Sequence, residues 1–135
     1  MSDINWDLLW SEARNMLQFS YCPYSNFPVG AAAVTTDGKL VKGCNVENAS
    51  YGLGLCAECS LVSDLASKGG GKLAALVVVA SDGKPVAPCG RCRQLLWEHG
   101  GKTMQIMSSE GPIQFATLLP DAFGPEDLLT RTVHD

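Results

Sequence analysis

Apolar positions along the chain follow two periods. Across 6–19, Trp6, Leu9, Trp10, Ala13, Met16 and Leu17 recur every three or four residues, which predicts an amphipathic helix with Asn5 as its N-cap. The loop CPYSNFP interrupts that period. VGAAAVT at 29–35 reads as a buried strand, Asp37-Gly38 as a turn, and LVKGCNV as the returning strand of a hairpin. ENASYGLG, with two glycines, reads as a loop. The helical period returns across 56–67, where Ala57, Leu61, Val62, Leu65 and Ala66 are apolar, and Gly69, Gly70 and Gly71 end it. LAALVVVA at 73–80 shows no alternation, so it predicts a central strand covered on both faces. A loop through Pro85 and Pro88 leads to a second cysteine-bearing helix over about 90–99, closed by Gly100-Gly101. MQIMSS predicts a further strand. The EGP turn at 110–112 is short, so the strand after it, near 113–117, should run antiparallel. LLPDAFGPEDL reads as a loop with one helical turn.

The order α-β-β-α-β-α-β-β predicts a three-layer α/β/α domain around a mixed five-stranded sheet. No internal repeat, low-complexity segment or linker divides it, so one domain over 1–135 is expected. With 46% of its residues hydrophobic, the chain can bury a core without disulfide staples. No stretch approaches the ~18 apolar residues of a membrane span. MSDINWDLLW lacks the basic and continuous apolar regions of a signal peptide. A cytoplasmic protein is expected, and there six cysteines argue for metal ligands and buried thiols rather than disulfides. Ten basic residues against 14 acidic ones give a net charge of −4, with no basic run. That balance disfavours a nucleic acid polymer, and a small neutral molecule fits better.

The cysteines carry the chemistry. Cys56 and Cys59 in LCAECSLV, and Cys89 and Cys92 in PCGRCR, both have C-x-x-C spacing at a predicted helix start. Helix N-termini offer free N–H groups and a positive dipole end, which stabilise a thiolate. Two arrangements satisfy the spacing. One is a closed structural zinc held by all four thiolates. The other is an open zinc held by Cys56, Cys89 and Cys92 at about 2.3 Å, with the fourth position left for water. Two features favour the open site. CAEC opens an apolar-periodic helix, whereas structural knuckles place the motif on a tight turn. Glu58 also lies between the first two cysteines, and a carboxylate beside three thiolates is costly without a task.

CAE followed about thirty residues later by PCGRC resembles the signature of the zinc-dependent nucleoside and nucleobase deaminases. CPYSNFPVGAA, GCNVENASYG, LCAE and PCGRCRQLL together are similar to the small homotetrameric cytidine deaminases. The likeness runs from about residue 6 to the region of Phe123. It implies a cytidine-deaminase-like fold, one Zn²⁺ per subunit held by Cys56, Cys89 and Cys92, and Glu58 as the proton shuttle. Glu58 would take a proton from the activated water and deliver it to pyrimidine N3; hydroxide would then add at C4, and Glu58 would help protonate the departing ammonia.

The resemblance further implies that Asn45 and Glu47 bind the ribose, Phe27 stacks on the base, and the backbone at Ala57 and around Pro88 reads the base edge. Without the resemblance, a loop-capping pair is the alternative for Asn45 and Glu47, and Phe27 reads as a core residue. Tyr51 and Phe123 resemble aromatic positions that reach a neighbouring subunit's site.

In many relatives an arginine follows CAE and partly neutralises the thiolates, and here the position is Cys59. Arg91 or Arg93 is expected to contact a cysteine sulfur in compensation. Cys59 is expected as a buried thiol outside the metal, and Cys22 and Cys44 as loop and strand thiols. His99 and His134 match no motif. The implied activity is hydrolysis of cytidine and 2′-deoxycytidine to the uridines, in pyrimidine salvage. Two alternatives stand beside it: deamination of a cytosine nucleoside antibiotic of the blasticidin-S type, and a non-catalytic zinc-stabilised module.

Overall fold

The structure, a computed structural model, describes residues 3–131. His134 lies outside them. A helix, α1 (Trp6–Met16), opens the chain and continues as a 3-10 turn over Leu17–Phe19. Asn5 caps it as expected, its Oδ1 accepting the Leu8 N–H at 3.0 Å. Then come β1 (Gly30–Thr35), β2 (Leu40–Cys44), α2 (Ala57–Ser67), β3 (Leu73–Val79), α3 (Gly90–Gly100), β4 (Gln105–Ser108), β5 (Gly111–Gln114) and α4 (Pro125–Arg131).

The five strands form one mixed sheet in the order β2-β1-β3-β4-β5. Only β3 and β4 are parallel, joined by the α3 crossover, and β4 with β5 are antiparallel as the short turn requires. β3 is the central strand. Its Leu76 and Val78 enter one core with Leu61, Leu65, Leu96 and Phe115, while Ala75, Val77 and Val79 enter a second with Leu9 and Ala13. A strand covered on both faces loses the apolar–polar alternation, which explains the unbroken run LAALVVVA. α1 therefore covers one face, α2 and α3 the other, in the expected three layers.

Two expectations at the C-terminal end need correction. The last strand is Gly111–Gln114, not 113–117, and residues 115–118 form a 3-10 turn. Phe115 is completely buried in the α2/α3 core, so the chain bends inward there instead of extending the strand. The tail also carries a seven-residue helix, α4, beginning at Pro125, a residue suited to a first helical position.

The sheet end that matters for function is where β1 starts and β2 and β3 finish. Gly30 pairs with Cys44 on one side and Val79 on the other. Beyond that end, Val46 bridges to both Tyr21 and Leu55, so the chain closes the 47–54 loop immediately before Cys56. Val86 N–H donates to Val78 O at 2.9 Å, folding the 80–89 loop back over β3 and delivering Pro88 and Cys89 to the same end.

Gly43 sets how closely α2 lies on β2. A Cβ there would stand 2.3 Å from Ala57 O and 2.4 Å from Leu61 N, both backbone atoms that cannot swing aside. Gly43→Ala is expected to destabilise the protein by about 2–3 kcal/mol or more, a fall of roughly 10 °C in thermal midpoint. A melt unchanged from the parent would show that α2 is not held at this distance.

Candidate active site

Cys56 and Cys89 are the N-cap residues of α2 and α3, both with extended backbone. Cys92 lies one turn into α3 and is completely buried. The three sulfurs lie within 4.8 Å of one another, and Cys59 does not join them. Three thiolates on one tetrahedral zinc at about 2.3 Å would stand about 3.8 Å apart, inside that limit. The donor set and its convergence therefore fit zinc. All six cysteines are free thiols. Cys22, Cys44 and Cys59 are each half-buried, less enclosed than the buried thiol expected at Cys59. Burial pushes the Cys44 thiol up.

The electrostatics of the three sulfurs differ. Burial pushes Cys92 strongly up, with the Glu58 carboxylate adding to the effect. Burial also raises Cys56, although the Cys92 thiol opposes it. Cys89 is held below the ordinary thiol value, first by the Cys92 N–H, against burial, with the Arg91 N–H helping. These amides point toward the sulfur without meeting the geometry of a full cap hydrogen bond. A divalent cation between the sulfurs stabilises thiolates where burial alone opposes them.

Glu58 sits in the first turn of α2 and is 4% exposed. Burial pushes its carboxyl above the ordinary glutamate value, partly offset by its own backbone N–H and by Cys92. A carboxyl raised in this way exchanges protons more readily near neutral pH, the condition for general acid–base work.

A cavity of about 470 Å³ opens onto this cluster. Its wall joins Cys56, Cys89, Cys92 and Glu58 to Phe27, Asn45, Glu47, Ala57 and Pro88. The residues expected for metal, proton transfer, sugar and base are thus brought to one space. Phe27 is half exposed, which excludes the plain core reading of that residue. Asn45 and Glu47 line the cavity and also hold the 20–29 loop. Asn45 Oδ1 accepts from Val29 N–H at 2.9 Å and from the Ser20 hydroxyl, and its Nδ2 donates to Phe27 O at 2.9 Å. Glu47 accepts from Tyr24 N–H, Ser25 N–H and the Ser25 hydroxyl. The Ser25 hydroxyl is the first cause that holds the Glu47 carboxyl below its ordinary value.

Tyr51 and Phe123 do not line this cavity. Tyr51 is 82% exposed, edge-on to Tyr24, and lines an adjoining space of about 380 Å³ with Glu47 and Ser25. Phe123 is 58% exposed, and its carbonyl accepts from Gln94 Nε2 at 2.8 Å.

The expected arginine–sulfur contact is absent from the described hydrogen bonds. Arg93 Nε donates to Pro88 O at 2.8 Å and its Nη1 to Leu118 O at 3.0 Å. The guanidinium thus secures the backbone immediately before Cys89 and the end of the 115–118 turn, two carbonyls with stronger acceptors than a thiol. Arg91 is exposed, and no described side-chain hydrogen bond leaves it. His99 is half-buried in the last turn of α3, away from the sulfurs. Ser25 is the functional candidate that motif reading passed over. It lies within CPYSNFP, two residues before Phe27, and lines both cavities.

Residues 5–108 match the family described as the cytidine and deoxycytidylate deaminase zinc-binding region. The chain belongs to this deaminase family. It is 52% identical over 128 residues to a cytidine deaminase from Mycobacterium tuberculosis, covering 95% of this chain and 96% of that one. Two solved structures superpose on it. A cytidine deaminase from Mycobacterium leprae is 55% identical, with TM-score 0.86, covering 88% of this chain and all of that one. One from Burkholderia pseudomallei is 43% identical, with TM-score 0.80, covering 89% and all of the respective chains. Both C-x-x-C pairs, each at a helix start, lie inside the matched region. The α/β fold with its five-stranded sheet is the fold of these deaminases. Among the described residues no helix is long and apolar enough to cross a membrane.

Proposed function

We propose that the protein hydrolyses cytidine and 2′-deoxycytidine to uridine and 2′-deoxyuridine with release of ammonia, in pyrimidine salvage. The observation that carries this reading is one cavity shared by three convergent sulfurs, a buried carboxylate, and the sugar- and base-facing residues. The relatives reported above, each a cytidine deaminase, support the same substrate class.

Cys56, Cys89 and Cys92 would hold one zinc per subunit. When bound, zinc supplies a Lewis acid that lowers the pKa of water to about 7. The chain's own residues do the rest. Glu58 takes a proton from the attacking water and passes it to N3 of the pyrimidine, then takes the proton of the new C4 hydroxyl and delivers it to the amino group, so that the C4–N bond breaks, ammonia leaves and a C4 carbonyl remains. Phe27 stacks on the base. The backbone around Ala57 and Pro88 faces the base edge. Asn45 has one Nδ2 hydrogen still free, and Glu47 is an anionic acceptor, so the pair can meet a ribose hydroxyl as acceptor and donor.

The reading extends to a single catalytic domain, a cytoplasmic location, and assembly as a homotetramer. Exposed aromatic and leucine side chains at Tyr51, Leu53, Leu55 and Phe123 support self-association, with Tyr51 and Phe123 reaching a neighbouring subunit's cavity. Ammonia release from cytidine, abolished by a chelator and restored by zinc, tests the activity. No release from the metal-loaded protein would refute it. Cys59→Ala tests the ligand set. It should keep its zinc and stay within about twofold of the parent's turnover, the scale of a substitution away from the machinery. Loss of metal would revive the four-cysteine site.

A further inference from the structure

The segment from Cys22 to Phe27 has no regular structure, yet it is held firmly. Asn26 N–H donates to Cys22 O at 2.9 Å, and Asn26 adopts a left-handed conformation, φ 55°. At its centre the Ser25 hydroxyl donates to Glu47 Oε2 and accepts the Phe27 N–H at 3.0 Å. The Tyr24 and Ser25 amides both donate to Glu47 Oε1, at 3.0 and 3.1 Å. A serine hydroxyl has one proton, and here that proton is committed to the carboxylate. A carboxylate has about four lone-pair sites, and three of Glu47's are filled from this loop. The remaining site, on Oε2, is the one next to the Ser25 hydroxyl. The direction from which a sugar hydroxyl can approach is therefore set by Ser25.

The same hydroxyl fixes the backbone of Phe27, whose ring stands in the cavity wall. Ser25 also lies where the two cavities of about 470 and 380 Å³ adjoin. We infer that Ser25 is a positioning residue for nucleoside capture: its hydroxyl ties Glu47 to Phe27, so that sugar recognition and base stacking are set together. This rests on the proposed deaminase function. A serine that only stabilised a turn would bond within its own segment. Ser25 does this at Phe27 and in addition bridges 22 residues to a cavity carboxylate.

Binding is thereby separable from chemistry, because the described hydrogen bonds of the Ser25 hydroxyl go to Glu47 and Phe27 and none goes to Glu58 or the sulfurs. Ser25→Ala is expected to raise KM for cytidine by about tenfold, the loss of one hydrogen bond to a charged group, with kcat within about twofold. Ser25→Thr, which keeps the hydroxyl, should recover most of that loss. In a Glu47→Gln background, Ser25→Ala should add little further, since its partner is already altered. Zinc content and thermal midpoint are recorded for each protein. An unchanged KM in Ser25→Ala, a fall confined to kcat, or effects in the two backgrounds that simply multiply would each overturn the inference. A parent without cytidine turnover would fail earlier and separately, overturning the functional reading on which the inference rests.

Discussion

Glu58→Gln is expected to keep its zinc, its fold and its affinity for nucleoside, and to lose turnover by about 10³- to 10⁴-fold, the upper range for a positioned general acid–base group. Glutamine has the same shape and can still donate a hydrogen bond, but it cannot take a proton from water. The environment tolerates the swap. Glu58 is 4% exposed, and burial already penalises its charged form, as its raised carboxyl shows. For a carboxyl raised by folding, the folded state favours the neutral form, so a neutral amide should not lower the melting midpoint at neutral pH. Metal analysis, a melt and steady-state kinetics separate the outcomes. Retained turnover would remove Glu58 from the chemistry. Lost zinc would show that the carboxylate holds the metal and does not shuttle protons.

Cys92→Ala is expected to cost more than about 100-fold in zinc affinity, beyond the loss caused by removing a supporting partner, and to abolish deamination with it. Cys92 is the one sulfur of the three that is completely buried, so no side chain from solvent can replace it. Two thiolates at helix starts, Cys56 and Cys89, remain, and they leave two open positions where a catalytic zinc needs one. The contrast with Cys59→Ala is the informative part. Cys59 is one turn along α2 from Cys56, just as Cys92 is from Cys89, yet it lies outside the cluster. Equal metal loss in the two variants would contradict the three-sulfur site.

The fold was largely readable from local pattern because each element buries one face against the sheet. The stripe through Leu9 and Ala13, the unbroken run at 73–80 and the cysteines at two helix starts all report on short-range geometry. The convergence of Cys56, Cys89 and Cys92 was readable in part because the spacing within a helix turn is itself local. What the chain does not write locally is where a polar side chain goes. The Ser25–Glu47 link spans 22 residues and the Arg93–Leu118 link 25, and neither leaves a periodic trace. Arg93 shows the same: charge arithmetic points a guanidinium toward a sulfur, whereas the described hydrogen bonds of Arg93 go to the backbone carbonyls of Pro88 and Leu118. Phe115 ended β5 early through a tertiary contact that the short apolar stretch could not reveal.

The proposed chemistry depends on how many sulfurs surround the metal. X-ray absorption at the zinc edge of the purified protein counts them directly. Three sulfurs at about 2.3 Å and one lighter donor at about 2.0 Å are expected. A shell of four sulfurs, with no oxygen or nitrogen, would contradict the proposed chemistry.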